Sequence, residues 1–421
     1  MKRKKHSNFL IVFLILFAIL ILFFAFDNAD TANDAIYNVN LNDDVKYFYL
    51  SSNDTVEEQF RDNIYDQLDQ LDTSLFDGFL TSLDNDVYTI FGNVSFSEAL
   101  KGILNGEFST DASSIFTAIF NLFLSGFINI APILITIGMI AILCGTLSNL
   151  RSKNTLGKNS GEMVHYVCYM AIVLTIMTAL LQIINLTTKI INNMRTFMAI
   201  IFPVILTLIT ASGGTASGQL FQPLTAILTG GITEIIVGIV VPIFIVITIL
   251  SVVSNLSNNI KLNKLADFFK NAGQWLMGIC FTVFIAFLSI QGILAGTMDG
   301  VSIRAAKYAI GHSIPIVGNY IKDGFDLVLG SCVLIKNAAG VTGMLLLIAM
   351  VLAPIIQILV FSLALKLTAG IVEPVTDKRI STLIQSVSKN ITLLLVAIIS
   401  IAFMFFITLA VLVMSSNSVL T

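Results

Sequence analysis

Six uncharged or nearly uncharged apolar runs constrain this chain more than anything else in it. They cover 128–147, 163–185, 231–254, 275–296, 344–367 and 391–414. Each is 20 to 24 residues long, and about 20 apolar residues in helical form cross the hydrocarbon core of a bilayer. Only 12% of the 421 residues are charged. A soluble globular chain carries about 25%, so no ordinary water-facing surface can be built here. The reading is an all-α, polytopic membrane protein, the helix being the form that satisfies its own backbone groups in lipid.

Charge divides the chain further. Residues 1–26 carry +4, residues 27–111 carry −15 and residues 112–421 carry +8. This gives a basic tip, an acidic water-soluble stretch and a basic membrane body. No basic stripe stands clear of the membrane, so no nucleic-acid partner is expected.

The tip, Lys2 to Lys5, precedes an 18-residue apolar run at 9–26. That is either a signal-peptide core or a membrane anchor, and in both cases the residues from 27 onward are exported. Residues 27–114 form the acidic extracytoplasmic segment. Val56, Phe60, Ile64, Leu68 and Leu71 recur at helical spacing, which predicts an amphipathic helix. Ser95 with Glu98 reads as a capping box opening a short helix to Leu104. The membrane domain occupies 115–414, and 415–421 is a short tail.

Two regions resist a simple assignment. Residues 197–211 are apolar but short and contain Pro203; residues 220–228 contain Pro223; Ser212, Gly213 and Gly214 lie between them. This pattern suits two half-helices meeting at a Gly-rich re-entrant tip, which is tolerated where protein surrounds it. Region 297–343 is likewise mixed, Gly-rich and broken by Pro315. With six full spans and no extra crossing at 197–228, Lys153, Lys261, Lys264, Lys270, Lys378, Arg379 and Lys389 all fall on the cytoplasmic side, as the positive-inside rule requires. The C-terminus is then outside. Residues 262–269 and 380–387 carry apolar residues on one face, either lying on the inner membrane surface or packed on the body of the protein.

Gly292, Gly296 and Gly300 are spaced four apart, a pattern that lets another helix approach closely. Asp299, Arg304, Lys307, Lys322, Asp323, Asp326 and Lys336 follow. They read either as ordinary charges on an external helix or as a polar lining of a pore or subunit contact, with Lys336→Gln expected to be tolerated. Lys322 and Asp326 are a workable i, i+4 pair.

No enzyme motif is present: no zinc-ligand cluster, no nucleophile elbow and no phosphate-cradling Gly-Lys-Ser/Thr. No cofactor or metal is expected, since His6, His165 and His312 are isolated and Cys144, Cys168, Cys280 and Cys332 lie apart in apolar stretches.

Five blocks carry a resemblance: FPVILTLITASGGTASGQLFQP at 202–223, QGILAGTMDGVSIRAAK at 291–307, IPIVG at 314–318, DLVLGSCVLIKNAAG at 326–340 and VEPVTDKRI at 372–380. In this order they resemble the stage III sporulation protein AE family of endospore-forming Firmicutes, over about 197–414. The resemblance implies a multi-pass subunit of a sporulation channel complex in the mother-cell membrane around the forespore. Its implied partners are the other membrane proteins of the same operon and, through them, a forespore membrane protein. It implies no catalytic residue. A second, shorter likeness, Ile-Pro-x-x-Gly at Ile314 to Gly318, is similar to the autoinducer-2 exporter-like permeases and implies a stand-alone transporter instead.

Overall fold

The protein is described here from a computed structural model, which places residues 94–105, 112–152, 158–256, 262–313 and 318–415, with short stretches between 64 and 87. The side chains of 147–165, Met163 apart, and of 292–327 lie outside the described residues, as do the apolar run at 9–26 and most of the acidic segment.

Among the described residues the chain is helical and has no strand. Two short helices come first, α1 (Ser74–Ser82) and α2 (Phe96–Leu104). Six long ones follow: α3 (Ala112–Ser152), α4 (Lys158–Ala211), α5 (Thr215–Leu256), α6 (Asn263–Ser313), α7 (Gly318–Val372) and α8 (Lys378–Met414). All six are long and apolar enough to cross a membrane. The chain is a multi-pass membrane protein.

The capping box at α2 forms as its sequence predicts. Ser95 Oγ accepts from Glu98 N at 3.2 Å, and Glu98 Oε2 accepts from Ser95 N at 2.8 Å. Of the predicted helix over 56–71, Ile64, Tyr65, Gln67 and Leu68 are described and helical, with Ile64 and Leu68 buried. Phe76 stacks on Phe96 with centroids 4.1 Å apart, which locks α1 against α2. Phe79 stacks on Phe197 of α4 at 6.0 Å. The two short helices are therefore docked on the membrane body.

Connections between the long helices are short, so successive helices run antiparallel. The end of α3, the start of α4, the end of α5, the start of α6 and residues 373–377 lie at one end of the bundle. The turn at 212–214, the end of α6, the start of α7, the start of α3 and the end of α8 lie toward the other. Arg151, Lys158, Lys264, Lys378 and Arg379 flank the first set, so this is called the basic end and the opposite one the distal end.

The predicted half-helices are not separate elements. Residues 197–211 are the last turns of α4, and 220–228 belong to α5. Pro203 sits inside α4 without ending it, since neighbouring helices and hydroxyls accommodate proline at membrane depth. The turn between α4 and α5 is tight. Gly213 has φ 90, a conformation glycine adopts without steric cost. A side chain at Gly218 would meet Thr210 Oγ1 at 2.6 Å, so the missing side chain makes room for that hydroxyl.

The apolar faces at 262–269 and 380–387 are the opening turns of α6 and α8. Ile380, Leu383, Ile384 and Val387 are wholly buried, so this stretch packs on the body of the protein. At 262–269, Ala266 is buried while Leu265 and Phe268 remain exposed. α8 is the central helix: 78% of its most apolar window is enclosed by protein, against 17% for α3.

Candidate functional site

Charged and small residues decide where a helical membrane protein departs from an inert bundle. Unpaired charge is expensive there, and small residues set how closely helices approach.

The loop after α7 is built around such a residue. A side chain at Gly145 of α3 would run into the backbone carbonyl of Val375. Thr376 Oγ1 donates to Ala141 O at 2.7 Å, and Asp377 caps α8 by accepting from Arg379 N at 3.2 Å. These contacts give a structural role to the VEPVTDKRI block: it clasps the basic end of α3 to the entry of α8.

The close helix packing that the structure resolves lies on α7. Side chains at Gly340 and Gly343 would collide with Val413 of α8 and Ile201 of α4 respectively. These two glycines bring three helices together, and sequence reasoning missed them; the signal was present as Ala338-Ala339-Gly340-Val341-Thr342-Gly343. Gly292, Gly296 and Gly300 fall on the continuous helix α6 at four-residue spacing and so share one face; what meets that face lies outside the described residues.

The predicted charges separate into two groups. Asp299, Arg304 and Lys307 lie on the distal turns of α6, and Lys322, Asp323 and Asp326 on the opening turns of α7. Four residues join these helices, so the six charges gather at the distal end of one hairpin. Their side chains lie outside the described residues. Lys336 behaves differently. It is 0% exposed, and its Nζ donates to the carbonyl of Ser415, the C-cap of α8. The helix dipole places partial negative charge at that end, which favours a cation. Its partner is 79 residues away and invisible in the local sequence.

Beside it, Cys332 Sγ lies 3.7 Å from Gln67 Oε1, so the acidic segment reaches α7 close to this buried lysine. Gln291 of α6 donates to Leu220 O of α5 at 2.6 Å, which ties the distal limb of α5 to α6. Ser212, Gly213 and Gly214 form the α4–α5 turn, with Ser212 and Gly214 buried and Gly213 partly buried. No group of three potential metal-ligating side chains occurs among the described residues.

Sequence comparison settles the lineage. Residues 94–416 match the family described as stage III sporulation protein AE. The chain belongs to that family. It is 28% identical over 338 residues to the stage III sporulation protein AE of Bacillus subtilis (strain 168), covering 79% of this chain and 84% of that one. No solved structure matches. The matched span opens at the capping-box helix and closes just past Ser415, so it takes in the clasp, the α7 glycines and Lys336. Membership gives the chain a role in sporulation.

Proposed function

We propose that this protein is a membrane subunit of a channel-like complex that links mother cell and forespore and supports late forespore development. The observation that carries the reading is the family match across 94–416 in a multi-pass bundle. Its geometry supports docking at the distal end. Lys336 meets the last turn of α8, while α6 and α7 run on for more than 15 residues beyond that depth to their connection. This hairpin carries Asp299, Arg304, Lys307, Lys322 and Asp326. It rises about 25 Å past the end of α8, at 1.5 Å per residue. Together with α1 and α2 it is the part of the chain we assign to partner membrane proteins. The protein is not an enzyme in this reading, and it resides in the mother-cell membrane around the forespore with its acidic segment outside the cytoplasm. The permease alternative rests on Ile314 to Gly318, of which 314–317 lie outside the described residues, and no observation favours it.

Affinity purification of the tagged full chain from sporulating cells tests the proposal. The other membrane proteins of the stage III operon, with a forespore membrane protein, are expected to accompany it. Recovery of the chain alone under mild detergent, with normal spore yield after its deletion, would overturn it.

A further inference from the structure

α4 is amphipathic in the wrong sense for a helix facing lipid. Between 182 and 198 its buried face is apolar apart from Thr187, whose hydroxyl donates to Ile183 O: Ile183, Ile190, Ile191, Met194, Phe197 and Met198. Its exposed face over the same turns reads Gln182, Asn185, Lys189, Asn192, Arg195 and Thr196. Nearer the basic end the same helix exposes Met163, Val167, Met170 and Leu174, so the switch from apolar to polar is abrupt.

Depth decides what this means. Gly343 fixes Ile201 beside α7, and Gly340, three residues away, meets Val413 near the end of α8. Counted from this contact at 1.5 Å per residue, the stripe lies about 10–30 Å from that end toward the basic end. Counted from Tyr169, whose hydroxyl donates to Val252 O at 2.7 Å, Gln182 and Asn185 stay at that depth, while the outer turns reach the level of Phe197, where α1 docks. At the other limit, Asn390 donates to Ser251 Oγ at 3.0 Å. A side chain at Gly126 would meet Val360 at 3.8 Å, two residues from Ser362, whose carbonyl accepts from Ser388. Over the slab so bounded, α5 exposes Ile239, Ile245, Val246 and Ile249, and α3 exposes Phe120, Phe123 and Leu124. Those faces suit acyl chains. The α4 face does not, because amides, a lysine and an arginine at bilayer depth must meet water, protein or one another.

A second, independent feature faces it. Glu234 of α5 reaches Arg195 at 3.3 Å, and the pair stays open, with side chains 69% and 44% exposed. Glu234 stands between two π-helical stretches, Ala226–Ile232 and Ile236–Val240. Such turns are rare and concentrate at functional sites. A methyl group added at Gly230, Gly231 or Gly238 in these stretches would meet nothing within 4 Å, so packing does not account for these glycines.

We propose that the outward face of α4 from Gln182 to Thr196, with Glu234 opposite, is one wall of a water-filled path through the membrane for hydrophilic solutes. This rests on the channel reading above and assigns that channel a wall.

A cysteine scan reads it directly. Single cysteines are placed at each position from 181 to 196, and at Phe123, Ile245 and Ile249, in a chain whose four native cysteines are replaced. Membranes from sporulating cells then meet a charged, membrane-impermeant thiol reagent supplied to both faces. Total thiol after denaturation normalises each variant for abundance. Reaction at 182, 185, 189, 192 and 196, repeating every three to four residues and at least tenfold above Phe123, Ile245 and Ile249, is the expected result. Uniform protection of 182–196 would overturn the proposal, since a dry interface or lipid then covers the stripe. Equal reaction at Phe123 and Ile249 would also overturn it, by placing the whole slab outside the bilayer. Should the cysteine-free chain fail to insert, the same substitutions are read in the native chain, whose own cysteines are buried or half-buried. The outcome is separable from that of the purification. Partners with a dry stripe leave the complex and remove the path; a wet stripe without partners does the reverse.

Discussion

At the scale of single residues, Lys336 and Glu98 show how differently two charges can be held. Lys336 fills enclosed space and ends on the carbonyl of Ser415. Removing both the cation and its volume leaves a cavity, so Lys336→Ala is expected to lose about 2–5 kcal/mol of stability, the range for large-to-small core changes. Lys336→Met keeps most of the volume without a buried charge, and such replacements are often neutral or stabilising. Thermal unfolding in detergent should therefore place Met near the parent and Ala well below it. Equal losses would show that the charge, rather than the volume, holds α7 to α8. Glu98 is the opposite case, open to solvent. Its carboxyl is held below the usual range first by the backbone N–H of Ser95 and then by its hydroxyl. A depressed carboxyl adds stability that is present above its unfolded pKa and lost as pH falls through the folded one. Acid should therefore loosen α2 below about pH 4.5, and Glu98→Gln should flatten that dependence when the helix is followed by amide exchange. The capping box was legible because every partner lies within three residues. Lys336 was not, because burial is a property of the folded neighbourhood.

At the scale of elements, the spans were legible and their ends were not. A run such as 391–414 has no charged residue to stop it, and lipid offers no competing hydrogen bonds. Pro203 and the Gly-rich stretch after it suggested separate half-helices. Proline removes a single donor, which α4 tolerates, and only the turn at 212–214 breaks the helix. The polar stripe on α4 hid in plain view, because polar residues at helical spacing lower the mean hydropathy of a window and so blurred the limit of the span. The glycine contacts on α7 carry the clearest packing prediction. Gly340→Val and Gly343→Leu each force a neighbouring helix outward, and overpacking of this kind costs about 1–3 kcal/mol. Both variants should melt earlier than the parent, whereas Gly138→Ala on α3, where the added carbon meets nothing within 4 Å, should not. Unchanged melting of Gly340→Val would show that α7 and α8 have room to separate.

At the scale of the whole molecule, the antiparallel order makes topology a single choice. Cysteines replacing Lys264 and Lys378 should resist an impermeant reagent applied to intact cells, and one at Ser418 should react. Labelling at 264 together with protection at 418 would invert the bundle and with it the positive-inside assignment. The central position of α8 has a further consequence for biogenesis. The most enclosed helix is also the last of the six to be synthesised, so five helices must reach the bilayer around a slot that is still vacant. Until α8 arrives, the glycine faces of α7 and the amine of Lys336 have nothing to close on, and the intermediate depends on whatever insertion machinery or quality control attends it. A ribosome that stops before residue 378 should therefore yield not a smaller working protein but a substrate for membrane proteolysis, and a pulse-chase of that truncation should show it decaying far faster than the full chain.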